Sequence, residues 1–159
     1  MNEGDPMVRL TRLMPIWLIA HLIIGAPGCH EPTPKMQSAG DVRDGVFIHI
    51  NHGEDDPHAC TMALKMASLM SADKDVLVYF DVKGVGVVLK DAKDLQRAPF
   101  ESSKQQLEAL MAKGVPIYVC PGCLKAANKT PEDLMPGVKI ADKDAFFNFT
   151  KGRILTLDY

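Results

Sequence analysis

Positive charge is in no surplus here: 18 Lys and Arg stand against 20 Asp and Glu, for a net charge of −2. The basic residues are scattered among acidic ones, so no basic stripe forms and no nucleic-acid partner is expected. Cysteine is sparse too. The four present are too few and too unevenly spaced for a disulfide scaffold. No P-loop or Ser-His-Asp order occurs, and Gly84-Val85-Gly86 lacks the third glycine of a dinucleotide fingerprint. No cofactor is expected on these grounds. Internal repeats and low-complexity segments are also missing.

What is present is an apolar fraction of 47% against 24% charged residues, the balance of a soluble globular chain. The length of 159 residues has room for one ordinary domain after a non-globular N-terminus. Arg9 and Arg12 precede a run from Leu13 to Ile24 that is apolar apart from His21. That run falls short of the ~20 residues a spanning helix needs. Gly25-Ala26-Pro27-Gly28-Cys29 follows, so residues 1–29 read as a signal peptide. A cysteine directly after small residues suggests lipidation of Cys29; the alternative is an ordinary cleaved signal with an incidental cysteine. Residues 30–44, rich in proline and small polar side chains, read as a flexible linker. The expectation is an exported protein, periplasmic or lipid-anchored to the envelope, touching membrane only through that anchor. If Cys29 is lipidated, Cys29→Ser releases the protein from membranes or leaves its precursor unprocessed. Unchanged membrane attachment and mass in that variant would contradict it.

Residues 45–159 read as one α/β domain. Val46–Ile50, Val76–Phe80 and Val115–Val119 are short β-branched runs, hence strands. Ala59–Met70 repeats apolar residues at helical spacing, with Pro57 near its first turn. Ser102–Lys113 is a helix capped by Ser102 or Ser103 and stopped by Gly114. A short helix is expected after the Gly84 turn, and another from Cys120 to Ala127, ended by Asn128. Thr130-Pro131 marks a helix start. Val138–Ile140, Asp142–Phe149 and Ile154–Thr156 suggest strand, helix and strand. Such alternation implies a doubly wound, mainly parallel five-stranded sheet with helices on both faces, a flavodoxin-like three-layer arrangement. Its working edge lies beyond the carboxyl ends of the strands. That edge gathers Asn51–Cys60, Asp81–Lys83 and Cys120–Cys123.

Cys120-Pro121-Gly122-Cys123 is the sharpest chemical signal. A cysteine that opens a helix meets unpaired N–H groups, which favour thiolate over thiol. The spacing places Cys123, expected to be the more buried, within disulfide reach. Against a sulfur-carrying or redox role stands a structural staple. His49, His52, His58 and Cys60 form a second cluster of metal-ligating types, of which His52, His58 and Cys60 are the remaining metal candidates. Their spacing matches no established metal motif, so a partly buried histidine, a loop histidine and a helix thiol are the plainer reading. Glu54, Asp55 and Asp56 read as a solvated loop charging a helix start, and Lys83 as a surface lysine. Met62, Met66, Met70 and Met111 read as core filling.

Gly45–Ile50, the acidic loop into Ala59–Ala72, Asp75–Phe80, Gly84–Val87 and Leu110–Val115 running into Tyr118–Ala126 resemble the DsrE/DsrF-like family. The resemblance covers essentially all of 45–159. It implies a DsrE-like fold and a cysteine persulfide passed along a relay, with Cys120 at the carrier position. It also implies a trimer or hexamer and a thiol or sulfur-transfer partner protein. Asn128 stands where the family commonly has glycine, and the export signal departs from relays that work in the cytoplasm. The expected function is therefore thiol-based sulfur handling or redox chemistry, with Cys120 as carrier and Cys123 resolving. The alternative is an oligomeric metal- or ligand-binding module with structural cysteines.

Overall fold

The computed structural model describes residues 42–159; the expected signal peptide, Cys29 and nearly all of the linker lie outside them. Five β-branched or apolar runs become strands: Gly45–Ile50 (β1), Asp75–Phe80 (β2), Ile117–Val119 (β3), Lys139–Ile140 (β4) and Ile154–Asp158 (β5). All pair in parallel, in the order β4-β3-β2-β1-β5. The helices are Pro57–Met70 (α1), Ser103–Ala112 (α2), Pro121–Ala126 (α3) and Ala145–Asn148 (α4).

Period-2 alternation gives the sheet two unlike faces. Val46, Ile48, Ile50, Val76, Val78 and Phe80 point into the core, under Ala63, Leu64 and Ala67 of α1 and Leu107 and Leu110 of α2. Each large side chain so buried contributes about 1.5–3 kcal/mol. Among the described residues, the four-residue α4 lies on the opposite face. Phe146 of α4 packs edge-on against Phe47 and Tyr79, with ring centroids 5.6 and 5.1 Å away. Phe147, Ile154 and Leu155 stay exposed.

The helix ends follow from local chemistry. Asp56 accepts the Ala59 N–H at 2.9 Å ahead of Pro57, and Ser102 accepts the Gln105 N–H at 3.4 Å. Gly114, at φ 78°, ends α2, and Asn128, at φ 55°, follows α3. β3 is shorter than expected and starts after Pro116, which has no N–H to give; its carbonyl still accepts from Val78 at 3.0 Å. The helix expected after Gly84 is a 3-10 segment, Val82–Val88, beginning two residues earlier. Gly84 allows it to sit on the end of β1: its N–H donates to the Asn51 carbonyl at 3.2 Å, and a Cβ there would strike the Ile50 carbonyl oxygen.

Candidate functional site

Where β3 ends, the chain turns from strand to helix at Cys120. Its N–H donates to the Phe80 carbonyl at 2.9 Å, which fixes it at the end of β2. Cys120 itself is the N-cap of α3, with extended φ and ψ of −65° and 119°, and Pro121 follows at the first helical position. The Cys123 N–H donates to the Cys120 sulfur at 3.4 Å. Both thiols are free and half-buried. The deeper burial expected for Cys123 is thus not found. α3 has six residues and buries only Leu124, so one turn along it leads around the rim rather than into the core.

The two sulfurs are tuned in opposite directions. Burial works against the Cys120 thiolate, but the Tyr79 hydroxyl and the N–H groups of Cys123 and Gly122 outweigh it and lower its pKa. A helix this short has little macrodipole, so these discrete donors carry the effect. At Cys123 the Val82 N–H favours the thiolate, yet burial and the adjacent Cys120 sulfur push its pKa up on balance. A thiol whose thiolate is favoured thus stands beside one whose thiolate is disfavoured.

Three groups at this corner were not singled out from the sequence. Tyr79 sits on the sparsely covered face of β2, and burial followed by its contact with Cys120 keeps its hydroxyl protonated well above the usual range. Strand register extends the row: Asp158, His49, Tyr79 and Tyr118 are successive cross-strand neighbours on β5, β1, β2 and β3. His49 Nδ1 lies 2.6 Å from Asp158 Oδ1, and Nε2 lies 2.9 Å from Asp81 Oδ1. The second contact sets the imidazole against a carboxylate, both atoms shielded from water. Burial lowers the His49 pKa, but the two carboxylates win and raise it. Val82, at φ 43°, holds a left-handed conformation that β-branched residues avoid, a strain of about 1–3 kcal/mol. The alternation of β2 signals the face of Tyr79; nothing local signals Asp158 or the Val82 strain.

The second sequence cluster is dispersed. His52 pairs with Asp55 at 2.9 Å, His58 stacks on Phe100 at 5.8 Å, and Cys60 is buried in α1. Burial pushes the Cys60 thiol up to about 12, so it is chemically quiet. Asp55 also takes the Gly53 N–H and Lys83, each at 2.9 Å, which holds its carboxyl far below the usual range. Lys83 is therefore a loop clamp. Among the described residues no three His, Cys, Asp or Glu gather as a metal site.

The profile of the DsrE/DsrF-like family matches residues 44–155. Among solved structures, the protein of unknown function MTH1491 from Methanobacterium thermoautotrophicum superposes with a TM-score of 0.55 at 19% identity, covering 74% of this chain and 99% of its own. The ychN protein from E. coli superposes with a TM-score of 0.54, also at 19% identity, covering 72% of this chain and 99% of its own. Comparison with curated proteins gave no match. Both structural likenesses show the fold; the profile match, which spans Cys120 and Cys123 and strands β1 to β4, shows that the chain belongs to the DsrE/DsrF-like family, consistent with a protein of the sulfur-relay type.

Proposed function

We propose that the protein is a thiol carrier in which Cys120 takes up sulfur as a persulfide or mixed disulfide and Cys123 resolves it. The observation that carries this reading is the Cys120 sulfur. It is half-exposed at a strand end, its thiolate is favoured by Tyr79 and two backbone N–H groups, and a second thiol stands one turn away. The Cys123 N–H on the Cys120 sulfur at 3.4 Å, which keeps the two cysteines adjacent, also favours a second reading, a thiol–disulfide oxidoreductase using the same pair. Reduced protein is treated with inorganic polysulfide or with glutathione disulfide, and the cysteines are mapped by peptide mass. One added sulfur on Cys120 supports the carrier. Rapid collapse to a Cys120–Cys123 disulfide with turnover of glutathione disulfide supports the oxidoreductase. Modification of neither cysteine leaves the module with structural cysteines.

Export, with or without a lipid on Cys29, is part of this reading and rests on the N-terminal pattern. So is a homo-oligomer. Its support is the family together with the sheet face on which, among the described residues, Phe147 and Ile154 are exposed on the side of Phe47 and Phe146. A second copy covering that face removes apolar surface from water. Sedimentation is expected to show a trimer or hexamer; a monomer at micromolar concentration contradicts it.

A further inference from the structure

On the working edge of the sheet one imidazole has a carboxylate on each side. His49 Nδ1 lies 2.6 Å from Asp158 Oδ1 on β5, and Nε2 lies 2.9 Å from Asp81 Oδ1 just past β2. A neutral imidazole carries one N–H and one lone pair, so it donates to only one of these oxygens. The other carboxylate would then meet a lone pair at close range, which repels. Only the imidazolium offers an N–H to both. The two partners differ in their access to water: the Asp158 side chain is 65% exposed and the Asp81 side chain 20%. Water can take the place of His49 at Asp158, whereas Asp81 is costly to leave unpaired.

β5 is an edge strand, and its end is tied to His49 twice. Beyond the Asp158 carboxylate, the Tyr159 N–H donates to the His49 carbonyl at 2.9 Å, and the Asn51 N–H donates to the Tyr159 carbonyl at 2.8 Å. We propose that His49 is a proton-operated latch for this edge. Charged, it binds the end of β5 through Asp158 to the turn at Asp81; on losing its proton it keeps Asp81 and lets Asp158 go. The latch does not depend on sulfur uptake by Cys120. The titratable groups about the ring are Asp158 on β5, Asp81 at the end of β2, Tyr79 on β2 and, next to Tyr79, the Cys120 and Cys123 thiols at α3. From α4, Phe146 packs on Tyr79. Burial works against the charged ring, but the two carboxylates outweigh it and raise its pKa. The stabilisation is therefore complete below the ~6.5 of a free imidazole and is lost as pH climbs through the raised value. The latch opens towards alkaline pH.

NMR of the full-length protein, followed from about pH 5.5 to about pH 9, reads both parts of the device. The His49 ring should titrate above ~6.5, and Asp158→Asn should bring that midpoint down. Across the same titration, exchange protection of the Tyr159 and Asn51 amides, corrected for base catalysis, should fall roughly two- to fivefold, the worth of one partly exposed ion pair. In His49→Gln the protection should be low and flat with pH. If that variant does not fold, Asp158→Asn, altered at a largely exposed side chain, carries the same comparison. A ring that titrates at or below ~6.5, or a midpoint that Asp158→Asn leaves in place, overturns the latch. So does a loss of protection with pH that persists in the variant carrying the comparison, since it then follows another group. None of these readouts reports sulfur on Cys120, so the latch and the carrier reading fail separately.

Discussion

In the reduced protein near neutral pH, Cys120 is expected to alkylate far faster than Cys60 and distinctly faster than Cys123. Cys60 has no exposure, and its thiol is pushed up to about 12. Against a free thiol near ~8.5 its thiolate is scarcer by roughly a thousandfold, an advantage to Cys120 that nucleophilicity only partly offsets. Cys120, with its pKa lowered, should begin to react at lower pH than a free cysteine and reach its plateau sooner. Cys123, with its pKa raised, should lag behind. Tyr79→Phe removes the main favourable contact of the Cys120 thiolate, so its pKa rises and labelling at slightly acid pH slows. One hydrogen bond of about 1 kcal/mol sets that slowing at roughly fivefold. Site-resolved labelling across pH in the fully reduced protein ranks the three thiols, and a Cys123→Ser background, which blocks internal disulfide formation, measures the Tyr79→Phe effect. If Cys120 reacts no faster than a free thiol, the pair is a structural staple.

Phe80→Ala is expected to cost about 3–5 kcal/mol, the range for emptying a fully buried aromatic site. Small domains hold about 5–15 kcal/mol in all, so much of the stability goes with this side chain. Phe80 is fully buried at the end of β2, among the core residues under α1 and α2. Its carbonyl accepts the Cys120 N–H at 2.9 Å, so the same cavity loosens the anchor of Cys120. Urea denaturation should show a lower midpoint with unchanged slope, together with slower Cys120 labelling. A loss below about 1 kcal/mol would mean that the strand end collapses onto the cavity without penalty.

The elements were legible because β-branched runs and helical spacing are local signals. Asp56 and Ser102 announce the starts of α1 and α2, and Gly114 and Asn128 announce turns. The edge that gathers Cys120 with Asp81–Lys83 follows from strand alternation alone. The chemistry around it was legible only in part. His49 and Asp158 are 109 residues apart and meet only through the pairing of β1 with β5, a register no local pattern carries. Tyr79 reads as one more buried strand residue until β3 is placed beside β2. Depth along α3 misled for a different reason: helical spacing ranks residues by turn, but a helix on the rim buries only the face that Leu124 occupies. His52, His58 and Cys60 are near in sequence, yet a loop, a helix start and a buried helix face point them apart.

The central claim, that Cys120 is the atom through which this protein works, is tested most directly on protein purified under acid-quenched conditions from the cell that makes it. Intact mass followed by peptide mapping reads the state of each cysteine as it was in use. The account predicts extra sulfur, a mixed disulfide or a Cys120–Cys123 bond on a substantial fraction of molecules, with Cys60 unmodified throughout. Cys120 found entirely as an unmodified thiol, and staying so after exposure to polysulfide and glutathione disulfide, would contradict it.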